Sequence, residues 1–163
     1  MSTRFRPVAV FLCLCMVGIM PADAQKEDKK AAKEAAITKL IRDKKYVFHV
    51  DTSIPMGGRS RRETPGYTLK VQPNKVTAEM PYYGRAYNAG YGSSDAGIRL
   101  NSTKFEYKVT DRKKGGWDIT IKPTDSKDLQ QFNLTIQVNG SATLQVTSNN
   151  RQPINFDGYI DEK

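Results

Sequence analysis

The residues best equipped for recognition chemistry are gathered in one stretch of this 163-residue chain. Pro81-Tyr82-Tyr83-Gly84-Arg85-Ala86-Tyr87-Asn88-Ala89-Gly90-Tyr91-Gly92 packs four tyrosines, three glycines and one arginine into twelve residues. Tyrosine offers a large flat face and one hydroxyl at low entropic cost, and such residues dominate recognition loops. The arginine fork stacks on rings or grips a carboxylate with two parallel hydrogen bonds. This composition predicts a binding loop with Tyr82, Tyr83, Arg85, Tyr87 and Tyr91 as the contact set. It also suits a tyrosine-rich flap closing an open end of the core, its hydroxyls bonded to backbone, and both readings stay open.

Catalytic constellations are largely missing. His49 is the single histidine, and it falls inside an alternating segment, one residue out of phase with Tyr46, Phe48 and Val50. A strand histidine of that kind reads as a structural residue at or near the surface. No Gly-x-Ser-x-Gly elbow accompanies it. Gly84, Gly90, Gly92 and Gly97 follow no strand–helix frame that would cradle a phosphate. Cys13 and Cys15 are the two cysteines, and both lie in the N-terminal leader described below. No thiolate nucleophile, ordinary zinc site, metal or cofactor is therefore expected. Carboxylates remain, at Asp95, Glu106, Asp111, Asp118, Asp125, Asp128 and Asp157. A glycosidase-like pair needs two of them about 5 to 10 Å apart, and nothing in their spacing requires it. No catalytic residue is assigned.

Elements must position these groups, and the first is a leader. Arg4 and Arg6 precede an uninterrupted apolar run from Val8 to Met20, followed by Pro21 and the small-residue motif Ala22-Asp23-Ala24. That is the layout of a cleavable secretory signal, with the cut expected after Ala24. Thirteen residues make roughly 20 Å of helix, short of the ~30 Å hydrocarbon core, so no transmembrane span is expected after cleavage. The expected location is periplasmic or secreted. Losing Arg4, Arg6 and Asp23 with the leader lowers the formal charge from +9 to +8. The positive charge is dispersed among loops such as Arg59, Arg61, Arg62 and Arg112, Lys113, Lys114, without the basic, aromatic-interleaved stripe that nucleic acid requires.

Residues 25–45 are rich in Ala, Lys and Glu and free of Gly and Pro, and they predict a helix. Ile37, Leu40 and Ile41 are its points of contact with the domain. From residue 46 to 163 the period falls to two. Tyr46/Phe48/Val50, Tyr67/Leu69/Val71, Val76/Ala78/Met80, Phe105/Tyr107/Val109, Trp117/Ile119/Ile121, Phe132/Leu134/Ile136/Val138, Ala142/Leu144/Val146 and Ile154/Phe156 each set apolar residues on one strand face. Such alternation marks antiparallel strands with one buried face. Tight turns at Gln72-Pro73-Asn74-Lys75 and Asn139-Gly140 make the connections hairpins. The expected class is all-β with one N-terminal helix: a meander of about eight strands, forming a small barrel or a strongly curled sheet. Asp51–Pro65 and Met80–Ser94 resist the alternation and read as long loops.

Met80-Pro81-Tyr82-Tyr83-Gly84-Arg85-Ala86-Tyr87, Gly97-Ile98-Arg99-Leu100, Phe105-Glu106-Tyr107, Gly140 to Leu144 and Arg151-Gln152-Pro153-Ile154-Asn155-Phe156-Asp157-Gly158 resemble a family of small exported proteins of Bacteroidetes-type bacteria, catalogued as domain of unknown function 4251. The match spans most of residues 37–160. It implies export in a Gram-negative bacterium, and no activity, cofactor or site residue comes with it. The reading that follows is a non-enzymatic binding or interaction module of the cell envelope, with a small molecule or an envelope protein as partner. A carboxylate-pair hydrolase and a structural partner of an outer-membrane assembly are the alternatives. Ligand, oligomeric state and pathway stay open.

Overall fold

The computed structural model describes residues 22–85 and 97–162, with side chains from residue 28 onward. Helix α1 (Ala22–Asp43) opens it. Alanine and long charged residues are strong helix formers, and the stop is local. Lys44 adopts φ 52°, so that its N–H bonds Ile41 O at 3.2 Å and Lys45 N–H bonds Leu40 O at 3.0 Å. This is a Schellman-type cap built on a left-handed residue. Ile37 and Ile41 are buried and Leu40 packs beside them, the three contacts that the sequence predicts.

The strands follow as β1 (Tyr46–Pro55), β2 (Arg61–Arg62), β3 (Thr68–Gln72), β4 (Lys75–Met80), β5 (Ile98–Ser102), β6 (Phe105–Asp111), β7 (Trp117–Pro123), β8 (Leu129–Ile136), β9 (Ser141–Ser148) and β10 (Ile154–Asp161). Their order in the sheet is β5-β4-β3-β1-β10-β9-β8-β7-β6, with β2 added to β1. Every neighbouring pair is antiparallel. The first and last strands pair with each other, so the sheet curls into a nearly closed barrel. Its seam lies between β5 and β6, consecutive strands at opposite ends of the order.

The seam is pinned at its corner. Asp125 accepts hydrogen bonds from Ser102 Oγ and Thr103 N, and Lys104 O accepts from Thr124 N at 2.8 Å. The Ser102 bond first, and backbone N–H bonds such as that of Thr103, hold the Asp125 carboxyl below its usual range.

Inward-facing residues alternate along each strand and meet in one core of Phe48, Leu69, Ile121, Phe132, Leu144, Phe156 and their neighbours. Burying these faces is the dominant favourable contribution to folding.

One expected loop proves shorter than the sequence suggests, while most of Met80–Ser94 lies outside the described residues. Asp51–Pro65 is not a loop throughout: β1 continues to Pro55 through a bulge between Val50 and Thr52, and Arg61–Arg62 pairs back onto it. The bulge hides the strand because the extra residue shifts the alternation by one. The alternation does not predict β5, since its inward positions run Ile98, Leu100 and then a polar Ser102. Val109, expected on a buried face, is 39% exposed because β6 is an edge strand.

The Asn139-Gly140 turn forms as predicted, with Gly140 at φ +84° and its N–H on Gln137 O. Any Cβ there would also press on Ile37 Cδ1 at 3.2 Å, so this glycine lets α1 sit against the turn.

Candidate functional site

α1 lies over one end of the barrel, and the β1–β2 connection and residues 81–85 after β4 lie at the other. At the helix end Tyr46 and Tyr107 place their hydroxyls 3.2 Å apart, and Tyr107 donates a long bond of 3.5 Å to Ile41 O. A carbonyl only accepts, so the order of donation runs Tyr46 to Tyr107 to the helix C-terminus. Lys44 Nζ sits 4.9 Å from the Tyr107 ring centroid. Burial, with Tyr107 beside it, pushes the Tyr46 phenol well up. Burial likewise pushes Tyr107 up to about 12, against the opposing effect of the bond it accepts. These polar groups are matched to one another, and they serve packing.

The loop end carries the predicted contact set. Pro81 follows β4 directly and ends its ladder, because proline lacks the N–H that would continue it. Tyr82 then turns inward and is 9% exposed. Its hydroxyl reaches Arg85 O at 3.0 Å and Gln152 O at 3.2 Å. Gly84 permits that curl, since a Cβ there would meet Tyr82 Oη at 2.6 Å. Gln152 N–H bonds Arg85 O at 3.1 Å, and Arg85 N–H reaches Gln152 Oε1 at 3.5 Å. Arg151 binds across the same junction. Its guanidinium lies 5.2 Å from the Tyr82 ring centroid, donates to Gly97 O at 3.1 Å and approaches Asp128 Oδ2 at 3.7 Å.

Tyr83 points the other way. It is half-buried, with the Arg61 guanidinium 4.6 Å from its ring centroid and its hydroxyl donating to Glu63 Oε2 at 3.3 Å. Burial, then the charge and hydrogen bond of Glu63, push the Tyr83 phenol up, while Arg61 pulls it down. Tyr83 lines a cleft of about 320 Å³ with Tyr67, Glu79, Tyr82 and Arg99. Larger open grooves of about 440 and 590 Å³ cross the outer faces of β1, β3 and β4 and of β3–β5. The cleft differs from them in being lined by Tyr83, whose ring and hydroxyl are held by Arg61 and Glu63.

The predicted contact set is thus divided. Tyr82 is an internal anchor, Tyr83 faces the cleft, and Arg85 is exposed with its backbone tied to Gln152. Tyr87 and Tyr91 lie outside the described residues. Sequence reasoning missed Arg61, Glu63, Tyr67 and Arg151, which come from segments far from the tyrosine stretch. The clue to the first two was a loop with three arginines that interrupts the alternation.

The histidine and four of the acids, Asp125 among them, have local partners. His49 is half-buried and stacks on Tyr159, centroids 5.1 Å apart and planes 17° apart. Asp118 accepts from Thr135 and lies 3.5 Å from Arg112, Asp128 meets Ser148 and Arg151, and Asp157 accepts from Thr143. Asp95 lies outside the described residues. Among the described residues no group of three or more His, Cys, Asp or Glu is arranged to hold a metal ion. Among them, too, no helix is long and apolar enough to cross a membrane.

The family model for "Domain of unknown function (DUF4251)" matches residues 28–160. The chain belongs to this family. A DUF4251 family protein from Bacteroides eggerthii DSM 20697, known from its crystal structure, has a similar fold: TM-score 0.62, 16% identity, covering 82% of this chain and 90% of that one. A comparison with curated proteins finds no significant match. In this DUF4251 domain the matched region contains β1 to β9, β10 as far as Ile160, and the residues that line the Tyr83 cleft.

Proposed function

We propose that this DUF4251 protein is an exported, non-enzymatic binding module of the bacterial cell envelope, and that its ligand is taken at the loop end by the Tyr82–Arg85 segment. The leader sequence supports export. One observation carries the binding reading: Tyr83 is held half-exposed at the rim of a cleft by Arg61 on its face and Glu63 on its hydroxyl. A ring oriented by two charged neighbours is pre-organised for recognition, because little freedom is lost when a ligand meets it. Tyr82 and Arg151 stabilise the platform beneath.

Native mass spectrometry of residues 25–163, purified from the envelope fraction, tests this reading. A co-purifying molecule that disappears in the Arg85→Ala, Tyr87→Ala variant, with thermal unfolding nearly unchanged, is the expected result. A large loss of stability with no molecule bound would favour the flap.

A second reading, a structural partner of an envelope assembly, is favoured by β6. Among the described residues that strand pairs only with β7 and leaves its other edge at the seam. Co-purification of envelope proteins in place of a small molecule would support it.

A further inference from the structure

We propose that the outer edge of β6 pairs with β6 of a second copy of this chain, antiparallel and centred on Tyr107; this rests on the second reading above and names its partner. Thr103 and Lys104 alone join β5 to β6, yet the two strands do not pair with each other among the described residues. An edge of this kind presents a row of backbone N–H and C=O groups, a template for another strand. Glu106, Lys108, Val109, Thr110 and Asp111 are all exposed, so the strand stands open to solvent.

The β6–β7 hairpin fixes which groups point outward. Along an antiparallel pair, hydrogen-bonded and non-hydrogen-bonded positions alternate. Lys104 O accepts from Thr124 N at one end of the hairpin, and Arg112 N donates to Gly116 O at the other. Between them the register runs from Phe105–Pro123 to Asp111–Trp117, so Glu106, Lys108 and Thr110 are the residues bonded to β7. Pro123 has no N–H and falls on a non-bonded pair, as this phase requires. Phe105, Tyr107, Val109 and Asp111 therefore turn their backbone groups to the open edge.

A two-fold axis at Tyr107 pairs that residue with its own copy, Phe105 with Val109 and Glu106 with Lys108. The exchanged hydrogen bonds then fall on Phe105, Tyr107 and Val109, whose groups face outward. Glu106 and Lys108 meet at non-bonded positions, where side chains come closest and opposite charges are favourable. Val109, apolar and 39% exposed, gains Phe105 as its cross-strand neighbour. The next two-fold along, at Lys108, keeps the hydrogen-bond phase but sets Lys108 against Lys108 and Phe105 against Asp111. Charge thus selects one register from the run Phe105-Glu106-Tyr107-Lys108-Val109. A single short edge makes a small interface, so the dimer is weak and reversible.

The test is sedimentation equilibrium of the exported protein, residues 25–163, over a concentration series, where a reversible monomer–dimer equilibrium is expected. Glu106→Lys sets two lysine pairs across the two-fold and should weaken the dimer about tenfold, the scale of two like-charge cross-strand pairs. The double variant Glu106→Lys, Lys108→Glu re-forms both opposite pairs and should restore the parent affinity. Val109→Pro removes an edge-facing N–H that β7 does not use, a change edge strands tolerate. It should abolish the dimer while thermal unfolding stays close to that of the parent; if it fails to fold, the charge exchange decides alone. A protein that stays monomeric up to about 1 mM would overturn the proposal, as would a dimer indifferent to the charge exchange. The second reading is judged separately, by co-purification. An envelope protein retained by the parent and lost in Val109→Pro would assign the edge to that protein, overturning the second-copy assignment and leaving the second reading standing.

Discussion

The two ends of the barrel are closed by different means. At the helix end, apolar residues of α1 cover the opening, and the Tyr46–Tyr107–Ile41 chain satisfies each polar group it buries. At the loop end, Arg61, Glu63, Tyr83 and Arg151 supply the cover, and Ser53 Oγ, Glu63 Oε1 and Asn155 Oδ1 have no hydrogen-bond partner among the described residues. One end is optimised for stability and the other keeps unused hydrogen-bonding capacity. Proteins retain such local inconsistencies at functional sites and offset them elsewhere.

Substitutions should therefore divide by end. Replacing Ile37 and Ile41 together by alanine should lower the unfolding free energy by about 4 kcal/mol or more, since each buried Ile→Ala change costs about 2–5 kcal/mol. Urea denaturation would show it, and a loss under about 1 kcal/mol would mean that the helix is not part of the cooperative core.

Next in size is a dependence on alkaline pH at the same end. The folded state holds the Tyr107 phenol at about 12 and Tyr46 well above its ordinary value. The unfolded chain ionises near 10, so it binds fewer protons than the native state above that pH. Stability is complete below pH 10 and declines as pH rises toward 12. The urea midpoint should fall across that window, and Tyr107→Phe should flatten the fall.

At the loop end, Tyr82→Phe removes the donor shared by Arg85 O and Gln152 O. A cost of about 1–2 kcal/mol is expected, the penalty of taking the hydroxyl donor from a partly buried Gln152 O, while Arg85 O keeps the Gln152 N–H. Tyr83→Phe, one residue on, should change stability by no more than about 0.5 kcal/mol, because it gives up one long, half-exposed bond. The smallest effect falls on Glu63, one of whose oxygens is buried with no partner among the described residues: thermal melts of Glu63→Gln should match or slightly exceed the parent. If Tyr83→Phe proves as destabilising as Tyr82→Phe, the contrast between anchor and cleft residue is lost.

The sequence by itself determined the class of the fold, because alternation and turn chemistry are local properties. Seven of the ten strands are legible as runs of inward apolar residues at period two, and an eighth, β6, was legible as a strand though not as an edge. The helix and its three contacts were legible from Ile37, Leu40 and Ile41. The tyrosine stretch was equally visible as an unusual segment. Which tyrosine does what was not, because Tyr82 and Tyr83 are chemically identical neighbours, separated only by the side of the chain on which each emerges. Tertiary structure alone decided that, by bringing Gln152 beneath one hydroxyl and Glu63 to the other. It also decided that the sheet closes through β1 and β10, residues at opposite ends of the domain. Such long-range pairings depend on the whole core, whose burial is a collective quantity that no local spacing encodes.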